Sequence, residues 1–220
     1  MAKDILWFHG IIWPALLMAL ELPLPKKIFA HGFFTVDGNK MSKTRGNVLD
    51  PNKLVDKFGA DAVRYAVLRE FPFGEDGDIS EEKIAARYEN DLANGLGNLL
   101  QRTISMIIKY KFEIRNPKSE TNPKSEIQIS KLIEELKFDQ ALMEIWKIVG
   151  ELNSYIDDNK PWELAKSDQK KLSEVLSFVF SNLSSLISPI LPFMPETAEK
   201  MKKQLETLEP EPLFPRIEIK

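Results

Sequence analysis

Gly38-Asn39-Lys40-Met41-Ser42-Lys43-Thr44-Arg45-Gly46-Asn47 places Lys40, Lys43 and Arg45 within six residues, with a glycine on each side and no acid between Asp37 and Asp50. This composition describes a flexible cationic loop. Lysine ammoniums and glycine-rich backbone can lie against polyphosphate oxygens, exchanging hydration for charge-assisted hydrogen bonds. Spacing alone favours a plainer reading, a solvated surface turn, so the flanking sequence has to decide.

On the amino-terminal side, Ile28-Phe29-Ala30-His31-Gly32-Phe33-Phe34-Thr35-Val36 lies between Pro23-Leu24-Pro25 and Asp37-Gly38. The β-branched and aromatic run predicts a buried strand. In a parallel α/β sheet ligands sit at the carboxyl ends of strands, which is where the cationic loop begins. Gly32 reads equally as a strand bulge or as a place where an adenine lies close to the backbone. Further upstream, Asp4 is expected to cap a helix starting at Ile5, and Pro14 to kink it. His9 and Trp13 are four residues apart and share a face; spacing alone favours a packed amphipathic helix with a satisfied histidine.

On the carboxyl side, Asn47-Val48-Leu49-Asp50-Pro51 turns into a helix bearing Leu54, Val55 and Phe58, which Gly59 ends before Asp61 starts the next. Asp61 and Arg64 are spaced as an ion pair. Phe71 to Asp78 reads as a turn-rich acidic link without the ligand spacing of a calcium loop, and a boundary falls near Ser80. From there Ile84, Tyr88, Leu92, Leu96, Leu99, Ile104, Ile107 and Ile108 mark one long amphipathic helix, with Asp91, Gly95, Asn98 and Arg102 on its other face. Asn116-Pro117-Lys118-Ser119-Glu120, repeated from Asn122 to Glu126, predicts a solvated loop. A second helix carries Phe138 to Ile156 and stops at Asn159-Lys160-Pro161-Trp162. A third carries Leu172 to Leu186 before breaks at Pro189 and Pro192, and a fourth runs from about Glu196 to Leu205. Leu213-Phe214-Pro215-Arg216-Ile217 is expected to lie across the portion before Ser80.

With 220 residues the chain can bury a real core. A net charge of −3 argues against binding nucleic acid by overall charge, so RNA contacts must come from local basic or stacking sites. The absence of cysteine excludes disulfides and thiolate zinc, and histidines only at positions 9 and 31 argue against any zinc centre. The apolar run Ile5 to Leu20 is interrupted by His9, Gly10 and Pro14 and has no small-residue cleavage site. It is also short of the roughly twenty residues of a membrane span. A soluble cytoplasmic protein is expected.

Lys40-Met41-Ser42-Lys43-Thr44 resembles the lysine-methionine-serine-lysine-serine signature of class I aminoacyl-tRNA synthetases, with threonine at the last position. Around it, Lys3-Asp4-Ile5-Leu6-Trp7-Phe8-His9 with Trp13-Pro14-Ala15, His31-Gly32, Gly46 to Pro51, and Asp76-Gly77-Asp78 resemble methionyl-tRNA synthetases in order and spacing, over about residues 2–165. The resemblance implies the last part of a Rossmann-like class I catalytic domain in residues 1–79, followed by an all-α helical-bundle anticodon-binding domain in residues 80–220. It implies a two-step ligase: methionine is activated by ATP, with Mg2+ on the phosphates, and the methionyl group is passed to tRNA(Met). Lys43 is the expected catalytic cation, supported by Lys40, with Ser42 orienting the loop. His31 and Gly32 join Lys40 and Lys43 around ATP. Asp4, His9 and Trp13 line the methionine and adenosine pocket, where an aromatic wall suits a thioether. Asn98, Arg102 and Trp162 contact the anticodon by edge hydrogen bonds and stacking; spacing alone would make them a polar face and a core tryptophan. Ala2 stands where the family usually has glycine. The family's histidine-x-glycine-histidine signature does not occur. The chain thus resembles the carboxyl-terminal part only, and is expected to need a partner carrying the amino-terminal half, with an exposed apolar patch where that half docks. A tRNA-binding module without catalysis or a truncated remnant is the alternative; an enzyme of the same class for another large aliphatic amino acid fits the Asp4-to-Trp13 pattern and Pro161-Trp162 poorly.

Overall fold

Three short strands lie between an apolar amino-terminal helical segment and a helical bundle. The computed structural model describes residues 1–42, 44, 46–112 and 123–217, with the side chains of 123–125 left aside. Lys43, Arg45 and the first copy of the proline repeat therefore lie outside the described residues.

Strand β1 (Phe34–Val36) pairs antiparallel with β2 (Asn39–Lys40) across the Asp37-Gly38 turn. After two helices within residues 51–69 the chain returns as β3 (Gly77–Asp78), parallel to β1, giving the order β2-β1-β3. The strand expected over 28–36 is thus short, and it is not buried, since Phe34 is 46% exposed. Before Phe34 the backbone is engaged elsewhere: the His31 N–H donates to the Met1 carbonyl and the His31 carbonyl accepts from the Lys3 N–H. Phe29 and His31 stack on Phe73, with ring centroids 4.9 and 6.2 Å away. The acidic link, expected to be all turn, supplies β3. Gly77 is required there by close approach, because a Cβ would sit 2.2 Å from the Phe71 ring.

Upstream, Lys3–Ile5 forms a 3-10 turn, Phe8–Ile12 a π turn, and α1 spans Trp13–Ala19. Asp4 caps nothing: it lies inside the first turn, and no side chain caps this end. Pro14, expected to kink the segment, lies within a continuous helical run. The π turn absorbs its missing donor, with the Trp13 N–H reaching back to the Phe8 carbonyl.

Asp50 caps α2 (Pro51–Phe58) by accepting from the Asn52 N–H at 2.9 Å, and α3 spans Ala60–Arg69. Asp61 and Arg64 do not pair with each other. Both reach residues 192–197 instead: Asp61 accepts from the Thr197 N–H at 2.7 Å, and Arg64 donates to the Pro192 and Phe193 carbonyls at 2.9 and 2.8 Å. Ser80 caps α4 (Glu81–Arg87), which runs through a π segment at Tyr88–Gly97 into α5 (Asn98–Lys109). This continuous helix is about 43 Å long at 1.5 Å per residue. Its predicted apolar stripe is buried except Ile108, which faces solvent.

The second copy of the repeat is not loop. It opens α6 (Pro123–Glu134) with proline in the first turn, where the missing N–H costs nothing. Helix α7 (Phe138–Asn159) ends at Lys160 in the left-handed region, φ 45°. The short α8 (Pro161–Ser167) follows, which periodicity did not reveal. Helix α9 (Gln169–Ile190) contains Pro189 in its last turn instead of ending before it, and α10 (Pro195–Thr207) packs back on it. Leu54, Phe58 and Tyr65 of α2 and α3 share one core with Leu96, Leu99, Ile145, Val179, Leu183 and Met201. The carboxyl-terminal segment lies on the π segment: Phe214 packs on Tyr88, whose hydroxyl donates to the Pro215 carbonyl at 2.6 Å.

Candidate nucleotide and anticodon sites

The cationic loop is held at its base. Met41 and Leu49 pack against the core on either side of it. Lys40 is exposed, with its ammonium 5.1 Å from the Phe33 ring centroid, and Lys3 approaches the same ring at 5.3 Å. Phe33, which no motif singled out, thus brings the start of the helical segment and the loop to one place. The Asp76-Gly77-Asp78 stretch braces both. Asp76 accepts from the Lys3 ammonium at 2.6 Å and from the Phe33 N–H at 2.8 Å, and the Lys3 bond leads in holding its carboxyl below the usual range. Asp78 accepts from the Gly38 N–H at 2.8 Å and the Thr35 hydroxyl at 3.1 Å. The Gly38 bond is the main cause of its lowered pKa.

His31 and Gly32 precede β1, next to Phe33. The His31 Nδ1 lies 2.9 Å from the Gly32 carbonyl. A Cβ on Gly32 would meet the Glu75 carbonyl at 2.2 Å, so what presses on this glycine is backbone of the acidic link. With Phe34, Phe71 and Phe73 these residues line an apolar hollow of about 60 Å³. His9 and Trp13 do share a face, their rings edge-on at 6.3 Å, with the His9 Nδ1 3.0 Å from the Ile5 carbonyl. Asp4 is exposed at the head of the same segment.

The other predicted set comes together at the far end of the long helix. Asn98, Arg102 and Trp162 line one cavity of about 440 Å³, together with Gln101, Ser105, Lys109 and Tyr110. Trp162 is 42% exposed, while Pro161 beside it is buried and seats α8. Arg102 is held by Asp157 at 2.7 Å. The Lys109 ammonium lies 5.5 Å from the Tyr110 centroid. Gln101, Ser105 and Lys109 were not singled out from sequence, although they follow Asn98 and Arg102 at three- and four-residue steps, which puts them on one face. A wall of amides, cations and two aromatic rings can stack bases and bond their edges.

Between the two sites runs a ladder of ion pairs along the long helix. Lys83 lies 3.3 Å from Asp78 and 3.6 Å from Glu70; Arg87 bridges Glu70 and Asp91 at 3.0 Å each. The Tyr65 hydroxyl donates to Asp91 at 2.8 Å, and burial, followed by the Asp91 charge, raises its pKa far above the ordinary value.

The chain matches two family models and a set of related proteins. Residues 1–104 match the model of tRNA synthetases class I (M), and residues 124–216 that of the anticodon-binding domain of tRNA ligase. The methionine–tRNA ligase of Caldanaerobacter subterraneus subsp. tengcongensis is 46% identical over 85% of this chain, and that of Clostridium perfringens 47% identical over 85%. The chain spans 32% and 31% of their lengths. The Mycobacterium tuberculosis methionyl-tRNA synthetase in complex with methionyl-adenylate superimposes with a TM-score of 0.82 at 34% identity, over 98% of this chain and 49% of that one. A catalytic-type segment followed directly by an anticodon-binding helical bundle, at this level of identity, means that the chain belongs to the class I tRNA synthetases of the methionyl type.

Proposed function

We propose that this chain supplies the phosphate-binding loop and the anticodon reader of a methionine–tRNA ligase, divided functionally near Ser80. The observation that carries the reading is the cavity in which Asn98, Arg102 and Trp162 converge with Lys109 and Tyr110. Its ligand is the splayed anticodon loop of tRNA(Met), with Trp162 stacking a base and Arg102 and Asn98 bonding base edges.

In the chemistry proposed, a carboxylate oxygen of methionine attacks the α-phosphorus of ATP, pyrophosphate leaves, and methionyl-adenylate forms. The terminal ribose hydroxyl of the tRNA then attacks the methionyl carbonyl and AMP leaves. Charge builds on phosphate oxygens in the first step, so Lys43, with Lys40 beside it and Ser42 shaping the loop, stabilises the transition state. His31 and Gly32 belong to the ATP side, and Asp4, His9 and Trp13 to the methionine and adenosine side. Among the described residues no cluster of three His, Asp or Glu side chains suits a metal; Mg2+ would arrive as the ATP chelate.

The partner in this reading is the remaining portion of the class I fold, which carries the histidine-x-glycine-histidine signature. A specific feature supports it: Trp7, Phe8, Ile11, Trp13, Leu16, Met18 and Leu20 are 45–67% exposed, an apolar surface of the kind that marks a protein interface. No helix among the described residues is long and apolar enough to cross a membrane, and a cytoplasmic site of action is proposed.

The test is binding of the chain to tRNA transcripts bearing CAU or altered anticodons, at one fixed salt concentration. A CAU preference that Trp162→Ala weakens by about 1–3 kcal/mol supports the reading. Equal binding of all anticodons by the folded chain sinks it.

A further inference from the structure

The catalytic signature ends before Asn47, yet this side chain closes the loop that the signature occupies. Its Oδ1 accepts from the Ser42 N–H at 2.9 Å, and its Nδ2 donates to the Lys40 carbonyl at 3.4 Å. One planar amide thus grips the chain on both sides of Met41, whose side chain is anchored in the core. Gly46, at φ 69°, turns the backbone so that the next residue faces back toward Lys40. We infer that Asn47 is a positioning residue for the proposed adenylation step: a clip that fixes the two ends of the cationic loop without touching substrate.

The physical consequence follows from where the loop's cations act. A loop that meets the phosphates most strongly in the transition state must be ordered at that moment, and an untied loop loses more conformational freedom in doing so. Tying Lys40 and Ser42 to Asn47 removes part of that cost beforehand. Loss of the clip should therefore lower turnover and leave ATP binding nearly unchanged. This inference rests on the proposed function for its catalytic half; the clip itself can be tested without it.

In the full chain, trypsin cleavage after Lys40 reports opening of the loop base. Asn47→Ala should speed that cut roughly five- to tenfold, the factor expected for losing a hydrogen bond of ordinary strength, with the unfolding midpoint unchanged. Asn47→Asp keeps the acceptor for the Ser42 N–H but turns a carboxylate oxygen toward the Lys40 carbonyl, so its cleavage rate should fall between those of the parent and Asn47→Ala, as one retained bond of the two predicts. In the chain complemented with the remaining class I portion, Asn47→Ala should lower kcat for methionine-dependent ATP–pyrophosphate exchange by a similar roughly five- to tenfold factor with the ATP KM unmoved. Unchanged cleavage in Asn47→Ala overturns the clip, and a raised KM at constant kcat overturns the positioning role. An inactive parental pair would count against the proposed function, while the cleavage rates would still decide the clip.

Discussion

Residues 5–24 and helix α9 are both rich in large apolar side chains, yet they end in opposite environments. Trp7, Leu16 and Met18 are 63%, 57% and 66% exposed, whereas Val175, Leu176, Val179 and Leu183 are at most 1% exposed. The difference lies in how the side chains are distributed around each helix. In α9 the apolar side chains pack against α5, α7, α8 and α10, and many of the remaining positions are polar groups that bond within the helix. Ser181, Asn182 and Ser184 donate to carbonyls four residues back at 2.8–2.9 Å. Around residues 5–20 apolar side chains occupy nearly every direction, a pattern suited to burial on all sides. One helix completes its environment with its own chain; the other presents a surface that this chain leaves uncovered.

The largest expected effect tests that contrast directly. Leu183→Ala empties a packed position and should cost about 2–5 kcal/mol, read as a drop in the urea midpoint at constant slope. Leu16→Ala, the same chemical change in the apolar segment, should stay within about 0.5 kcal/mol in this chain. Comparable losses at the two sites would mean that residues 5–24 are packed in solution, and the contrast would fall.

A smaller effect is expected at the joint between the strand region and the bundle. Asp61 is a buried carboxylate, 7% exposed, whose visible partner is the Thr197 N–H in the first turn of α10. It therefore acts as a cap supplied from another helix. Asp61→Ala should cost about 1–2 kcal/mol and should protect the α10 amides less in hydrogen exchange while leaving the 5–24 segment unaffected. A uniform loss of protection would show instead that α3 and α10 unfold as one unit with everything else.

How much of this was legible follows the same division. In the bundle the three- and four-residue periodicity placed α2, α3, α7, α9 and α10, because a buried stripe and its caps are local signals. It missed α8, too short to show a period, and read the second proline repeat as loop, since proline in a first helical turn looks like a breaker until its position is known. Near the loop the reading was less complete. The Asp61–Arg64 spacing invited a local ion pair, but both side chains found backbone groups more than 120 residues away. β3 hid in an acidic, glycine-bearing stretch, because a two-residue strand is set by its partner and not by its own propensity. Asn98, Arg102 and Trp162 were legible only by resemblance, and Gln101 and Lys109 on the same face went unnoticed although helical spacing contained them. Lys43, the cation on which the catalytic proposal depends, lies outside the described residues.

The smallest effect separates the loop region from the bundle by pH. The Asp78 carboxyl is half-buried and held below its usual pKa mainly by the Gly38 N–H, with Thr35 and Lys83 assisting. A carboxylate whose folded pKa is lowered contributes fully above its unfolded value, near 3.9, and loses that contribution as pH falls through the folded value. The Gly38 amide resonance should therefore shift with a midpoint below about 3.9, as the acceptor of its hydrogen bond becomes protonated. Asp78→Asn should abolish this titration and leave that of the Phe33 amide, which reports on Asp76. The amides of Val179 and Leu183 should stay constant through the same window, because no carboxylate bonds to them among the interactions described. If they moved together with Gly38, acid would be loosening the molecule as a whole. The brace on the cationic loop would then be inseparable from the core that supports it.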